Sequence, residues 1–458
     1  MLLSTVLPGV LLLGIVIFFH ELGHFLVAKW RGITVLKFSL GMGPEMVGFT
    51  SGGTRYCLSW IPLGGFVQMA GDHPEEDGSI PEGGPEQFLT HPWFGRILVA
   101  LAGPAANLLF AFITYFVLYG IVGLGTPDFP NVLGPLEPAS APARAGLVEG
   151  DVIRSFAGTP VETWWGLEQT VTKADTSRGA EMSFERGDSA FAVALPAGQV
   201  AGFLRGLVPP SDPPVVGTVL SGLPGYLAGL KEGDLILAVD GVAVSRFGDV
   251  PKQIHGKGGK DVVFHIRRGD KTFDLTVRPV KNTEGDTEQA LIGIRSLHEM
   301  KHVERYAFVP AVSNAAAQTV FVTARVYSGL WVTFTRFMEV REQMGGPIFI
   351  AQMARDAARQ GLDWWLDLLG TINLAVMAFN LLPIPLLDGG HILLALMQAV
   401  RRRAISARGY LRFMRVGLIF VGTLFVFIIA QDLMRPFRRM KVLEKAPRET
   451  TTVAPAPR

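Results

Sequence analysis

The sequence predicts a polytopic α-helical membrane protein: about four transmembrane helices with a membrane-associated β-hairpin region, joined to two tandem copies of a small α/β domain. Three observations carry this reading. The 458 residues are 49% hydrophobic and 18% charged, with a mean hydropathy of +0.33. That is too apolar for an ordinary soluble protein and too polar for a chain made only of membrane spans. Apolar runs of membrane length begin near Leu2, Phe94, Trp364 and Val416. Between the second and third runs, residues 126–295 hold no such run and repeat internally.

The first run, residues 2–28, ends at Lys29-Trp30-Arg31-Gly32, a basic and aromatic interface anchor followed by a helix stop. It lacks the charged start and the A-x-A site of a cleaved signal peptide, so it is expected to stay attached. Inside it lies His20-Glu21-Leu22-Gly23-His24. On a helix, His20 and His24 are one turn apart and point to the same side. Two imidazoles there can hold one zinc, with Glu21 beside the metal as a general base. Three ionisable groups inside a membrane-length apolar segment are costly, which favours a functional reading.

Residues 33–69 change period. Residues 33–40 and 56–61 are β-rich and separated by Gly41, Gly43, Pro44 and Ser51-Gly52-Gly53, while Pro62-Leu63-Gly64-Gly65 reads as a sharp turn. Residues 71–92, rich in Gly, Pro and acidic groups, read as a mobile loop. The second span, residues 94–124, carries Gly103-Pro104-Ala105-Ala106-Asn107, where small residues permit close helix packing. Asn107 needs a partner, either near the metal site or across a helix pair.

Ala145-Gly146-Leu147-Val148-Glu149-Gly150-Asp151-Val152-Ile153 recurs 83 residues later as Ala228-Gly229-Leu230-Lys231-Glu232-Gly233-Asp234-Leu235-Ile236. The unit is long enough to be a small domain. The motif, followed by a strand and a Gly turn, resembles PDZ domains of bacterial proteases. Such domains take an extended peptide or a C-terminus at a sheet edge. The resemblance places Val132-Leu133-Gly134 and Val215-Val216-Gly217 at the loop that would hold a carboxylate. Residues 304–360 read as amphipathic helices along the membrane surface, broken at Gly345-Gly346-Pro347-Ile348. A third span, residues 364–382, runs into Asn380-Leu381-Leu382-Pro383-Ile384-Pro385-Leu386-Leu387-Asp388-Gly389-Gly390-His391; its two prolines break the helix and leave Asp388 at the end. The fourth span covers residues 416–434, and the basic, Pro/Thr/Ala-rich tail after it reads as disordered. The expected divisions are 1–125 (membrane catalytic part), 126–209 and 210–297 (the two PDZ-like domains), 298–360 (surface helices), 361–434 (last two spans) and 435–458 (tail).

A catalytic zinc takes three protein ligands and keeps a fourth position for water. Cys57, the only cysteine, lies in the hairpin region, so neither a Cys-based zinc site nor an intrachain disulfide is available. Asp388 is the best candidate for a third ligand, with His391 as its competitor. Asn380 sits one or two turns before Asp388, placed to bind substrate backbone or support a developing oxyanion, or to pack the broken helix. A peptide bond inside a helix is hidden by its own hydrogen bonds, so a helical substrate must unwind, and strand addition to the 33–69 sheet would hold it. Asn380, Gly64, Gly65 and Asn107 are the expected substrate-binding residues.

Taken together, the set resembles the site-2 protease family of intramembrane zinc metalloproteases. The resemblance covers nearly the whole chain and rests on His20-Glu21-x-x-His24, Pro62-x-Gly64-Gly65, Gly103-Pro104-x-x-Asn107, the paired repeats, Gly346-Pro347-Ile348 and Asn380-x-x-Pro383-x-Pro385-x-x-Asp388-Gly389. It implies one zinc per chain on His20, His24 and Asp388, with Glu21 as base. It also implies hydrolysis within or near the transmembrane segment of single-span membrane proteins, such as an anti-sigma factor already clipped outside or a remnant signal peptide. The implied location is the bacterial inner membrane, with PDZ-like domains in the periplasm and the active site toward the cytoplasm.

Charge agrees in part. Lys29, Arg31 and Arg401-Arg402-Arg403 put the loops after spans one and three in the cytoplasm and both termini outside, although the basic stretch 435–441 runs against that rule. Expected partners are the substrates, the lipid bilayer, and peptide C-termini or extended peptides at the PDZ-like domains. A net charge of +2 with no basic, aromatic-interleaved run gives nucleic acid binding no support. Two other readings compete. A PDZ-bearing scaffold with a structural metal needs a fourth protein ligand. A metal transporter leaves Glu21 and the tandem repeats unexplained.

Overall fold

The computed structural model describes residues 2–73, 83–282, 289–297, 301–341, 344–402 and 406–445. The chain divides into two compact units, Met1–Gly123 with Arg305–Pro436, and Leu124–Glu304 with Phe437–Arg458. Residues 74–82 of the loop expected to be mobile lie outside the described residues.

The first unit is helical around one hairpin. Its longer helices are α1 (Leu2–Trp30), α2 (Trp93–Val117), α3 (Phe308–Thr335), α4 (Pro347–Gln360), α5 (Leu362–Asn380), α6 (Asp388–Arg401) and, as far as Pro436, α7 (Ala407–Lys445). Among the described residues, four stretches are long and apolar enough to cross a membrane: Leu7–Trp30, Trp93–Val122, Leu362–Asn380 and Ala407–Met434. The fourth begins earlier than expected because Arg408, Arg412 and Arg415 occupy its first turns, where helix formation leaves no apolar signature. It also runs on to Lys445, into the tail expected to be disordered; residues 446–458 lie outside the described residues.

Leu12 and Val16 of α1 are fully buried against Ala354 of α4 and Leu369 of α5. In α2, Tyr115 is fully buried and its hydroxyl lies 3.2 Å from Thr371 Oγ1 of α5. The segment expected to lie along the surface contains α3, one 28-residue helix about 42 Å long at 1.5 Å per residue. It buries Ala311, Ala315, Thr319 and Val322, a helical spacing of four, four and three, and leaves Phe308, Val320, Phe321 and Trp331 exposed.

β1 (Val35–Ser51) and β2 (Thr54–Met69) form one long antiparallel hairpin. The expected break at Gly41 and turn at Gly64 are bends inside the strands. Both glycines have φ near +90°, so the chain changes direction without leaving the ladder. The hairpin folds back on itself, and residues 37–40 pair with residues 55–58 on one side and 65–68 on the other. Residues 65–69 therefore have one strand neighbour, and their other edge lies toward α1.

The second unit holds the repeats. Val152–Phe156, Thr159–Pro160, Ala180–Arg186 and Ser189–Leu195 make a four-stranded antiparallel sheet; Leu235–Val239, Val242–Ala243, Val262–Arg268 and Lys271–Val277 make another of the same order. Each covers its own apolar core, with Ile153, Phe156, Met182 and Phe184 fully buried in the first and Ile236, Val239, Phe264 and Ile266 in the second.

The repeated Gly-Asp motif is a structural latch. Asp151 and Asp234 are fully buried. Each takes two hydrogen bonds from an arginine, Arg186 or Arg268, and one from a backbone N–H, Val148 or Lys231. The same arginines donate to the Gly146 and Gly229 carbonyls. The two tripeptides expected at a carboxylate-binding loop make backbone hydrogen bonds within their own repeats. Gly134 N–H donates to Val208 O at 2.8 Å, and Val216–Val219 pairs with Ile294–Ser296.

Candidate metal centre

α1 and α2 cross where the two sequence motifs meet. A Cβ on Gly103 would lie 2.8 Å from His20 Cε1 and nearer still to His24 Nε2, so only glycine lets α2 pass this close behind both rings. Asn107 lies one turn along the same face of α2 and is fully buried. Asp388 comes from the far end of the sequence. It opens α6, and does not close the span before it: the chain leaves α5 at Asn380, turns through the two prolines and re-enters helix at Asp388.

Three side chains converge. His20 Nε2 and His24 Nε2 are 3.2 Å apart. Asp388 Oδ2 lies 3.2 Å from His20 Nε2, and Oδ1 lies 3.3 Å from His24 Nε2. Among the described residues this is the group of His, Cys, Asp and Glu side chains arranged to hold a metal ion. The separations fit zinc. Tetrahedral ligands about 2.0–2.1 Å from the ion are about 3.3–3.4 Å from one another.

Protonation fits as well. His24 Nδ1 donates to Val99 O at 2.7 Å, so its proton sits on Nδ1 and Nε2 carries a free lone pair. His24 Nε2 and the Asp388 carboxylate then face one point, beside Nε2 of His20. Asp388 Oδ2 is buried, with His20 Nε2 at 3.2 Å and no hydrogen-bond donor in aligned geometry among the described residues. A cation resolves that arrangement; apolar or water-free packing leaves it unpaid.

Around these three, Glu21 is held at the sheet edge, where the Val67 backbone N–H meets its carboxylate. Gly65 makes room for it: a Cβ there would lie 2.9 Å from Ile17 Cγ2 and 3.2 Å from Glu21 Cγ. Asn380 Nδ2 lies 3.2 Å from His20 Nε2, on the side of the ring that faces Asp388. Asn107, expected among the substrate-binding residues, lies behind the His20 ring. It is sealed from solvent and touches His20 at the opposite ring nitrogen, Nδ1, at 3.3 Å. His391 stands apart from the ligand group, packed edge-on to Phe88 at 6.0 Å between ring centroids.

Sequence reasoning missed two supports, Val99 O and the Val67 N–H. Both are backbone groups and leave no residue-type signal. A third missed residue is Asp432 of α7, whose carboxylate accepts from Gly346, Ile348 and Phe349 N–H at 3.1–3.2 Å. An acidic residue at the end of an apolar run was its available signal.

The chain matches the model of Peptidase family M50 over residues 8–424. A putative zinc metalloprotease of Brucella suis is 27% identical to it over 450 residues, covering 94% of this chain and 96% of that protein. A putative zinc metalloprotease of Xylella fastidiosa is 29% identical over 450 residues, covering 92% and 96%. Protease RseP of Yersinia pestis is 29% identical over 446 residues, covering 92% and 97%. With the four membrane-length helices, these findings establish that the chain belongs to peptidase family M50, the site-2 protease family, and is a membrane-embedded zinc metalloprotease.

Proposed function

We propose that the protein hydrolyses a peptide bond within or near the transmembrane segment of single-span membrane proteins, using zinc held by His20, His24 and Asp388. The observation that carries this reading is the convergence of those three side chains at 3.2–3.3 Å on helices that begin in or adjoin membrane-length segments. A structural metal would be closed by a fourth protein ligand, and among the described residues the cluster supplies three.

Bound zinc would supply Lewis acidity, polarising the scissile carbonyl and making a water acidic enough to lose its proton near neutral pH. Glu21 takes the proton of the attacking water and delivers it to the leaving amine. Asn380, with its amide facing the ligand cluster, donates to the oxygen that gains charge. Residues 65–69 have one strand neighbour, and their other edge holds Glu21 at the Val67 N–H; a locally unwound substrate adds to this hairpin as a strand beside Glu21, and Gly64 and Gly65 let it approach. On this reading the protein sits in a bacterial inner membrane, with the repeats as periplasmic PDZ-like domains and the site toward the cytoplasm. Its substrates are proteins already clipped outside, an anti-sigma factor for example, or remnant signal peptides.

The test pairs elemental analysis of bound zinc with cleavage of a tagged single-span peptide, on wild type and Glu21→Gln in detergent. Equal zinc is expected, with cleavage by the variant down about 10²–10⁴-fold or more, since the proton carrier is lost. Asp388→Asn should lower both zinc and cleavage. Equal zinc with equal cleavage would sink the assignment of Glu21.

A further inference from the structure

We infer that Asn107 is a positioning residue for the metal centre: its side-chain oxygen accepts the Nδ1–H of His20 and fixes the tautomer that leaves Nε2 free to bind the metal. The inference rests on the reading of His20 as a ligand. In the structure, Asn107 Nδ2 is 3.3 Å from His20 Nδ1, and Asn107 Oδ1 has no hydrogen-bond partner among the described residues. As drawn, the amide would donate to a bare Nδ1. The His20 proton would then sit on Nε2, pointing at His24 and Asp388, and that nitrogen could not ligate. Oxygen and nitrogen of an Asn amide are interchangeable by a half-turn, and the choice belongs to the hydrogen-bond network. One end of the amide lacks a partner in either orientation, so the orientation is decided at His20. With Oδ1 turned to the ring, Nδ1–H finds an acceptor and Nε2 presents its lone pair to the cluster.

The two histidines then have equivalent supports of different origin. His24 Nδ1–H is held by the backbone carbonyl of Val99 at 2.7 Å. His20 Nδ1–H is held by a side chain eight residues along the same helix. Metal-ligating histidines regularly donate their second N–H in this way, and the acceptor sets ring orientation and basicity. Asn107 is fully buried, so bulk solvent does not serve as a substitute acceptor and a substrate does not reach it. Sequence alone could not separate this role from substrate binding, because both require a polar group near the metal.

The experiment measures zinc affinity by competition with a chelator, on purified full-length wild type, Asn107→Leu, Asn107→Asp and His20→Ala. Asn107→Leu keeps the shape and removes the acceptor, and is expected to weaken zinc about 10–100-fold. Asn107→Asp restores an acceptor and should recover most of that loss, which a packing role would not predict. His20→Ala should lose tight binding. Wild-type affinity in Asn107→Leu with binding lost in His20→Ala overturns the role of Asn107 and leaves the ligand reading standing. Equal weakening in the Leu and Asp variants also overturns it. Wild-type affinity in His20→Ala removes the ligand reading and this inference with it. Should Asn107→Leu not fold, Asn107→Ala is read in the same way.

Discussion

At the residue scale, the site depends on what is missing from α2 as much as on what is present. Gly103 faces both imidazoles, and a methyl group there would lie within 3 Å of His20. Overpacking of this kind costs about 1–3 kcal/mol. Here the groups that must move are the two histidines proposed as metal ligands. Gly103→Ala is therefore expected to lower both the zinc content and the thermal midpoint of the purified protein. Wild-type zinc and an unchanged midpoint would show that α2 can draw back without loss. The histidine pair and Asp388 were legible because ionisable residues in apolar runs are rare enough to stand out. Gly103 and Asn107 were legible only as a motif. Which of them makes room, which supports a ring and which would meet substrate depends on the register of α1 against α2, and no single-chain pattern encodes that register.

At the element scale, helix ends and strand bends were the least legible features. The hairpin reads as two short strands because glycines interrupt the apolar alternation, yet Gly41 and Gly64 bend the strands without ending them. The start of α4 is clearer once Asp432 is seen. Gly346 precedes the helix, Pro347 is its first residue, and the Asp432 carboxylate accepts the N–H of Gly346 and those of Ile348 and Phe349 in the first turn. Asp432 is 4% exposed, so truncation leaves those donors without water. Asp432→Ala should cost about 1–3 kcal/mol, read as faster hydrogen exchange at Gly346, Ile348 and Phe349. Unchanged exchange there would mean that other groups cap α4.

The Asp151–Arg186 latch makes a pH prediction for the first repeat. Burial pushes the Asp151 carboxyl up, but the Arg186 hydrogen bonds and charge and the Val148 N–H outweigh it and hold the carboxyl below its ordinary value near 3.8. A carboxyl lowered on folding contributes stability that is complete above the unfolded value and is lost as pH falls through the folded one. Protection of residues 152–156 and 180–186 should hold down to about pH 4–5 and decline below it, while Asp151→Asn should flatten that dependence. A decline of the same size in the variant would assign the pH response to other groups.

At the scale of the whole molecule, the proposed ligands come from the two ends of the sequence, and the repeats are spliced between them. The splice is closed on both sides. Within the first unit, Tyr306 N–H donates to Tyr119 O at 3.0 Å, Arg305 Nε donates to Val122 O at 3.3 Å, and the two tyrosine rings meet edge to face. Within the second, Lys301–Glu304 pairs antiparallel with Leu124–Pro127, Glu304 opposite Leu124. A unit whose own ends are tied together can be removed at little cost to the rest, since the entropy of closing the gap grows slowly with its length. Every residue that supports the ligands, from Val99 and Asn107 to Asn380, belongs to the first unit. Replacing residues 125–304 by a linker of about four to six Gly and Ser residues should therefore leave zinc bound at one ion per chain, with the competition affinity of the full-length protein. A deletion protein that is inserted in membranes and melts cooperatively, yet holds no zinc, would show that the repeats help to assemble the ligand cluster, and the two units would have to be treated as one folding entity.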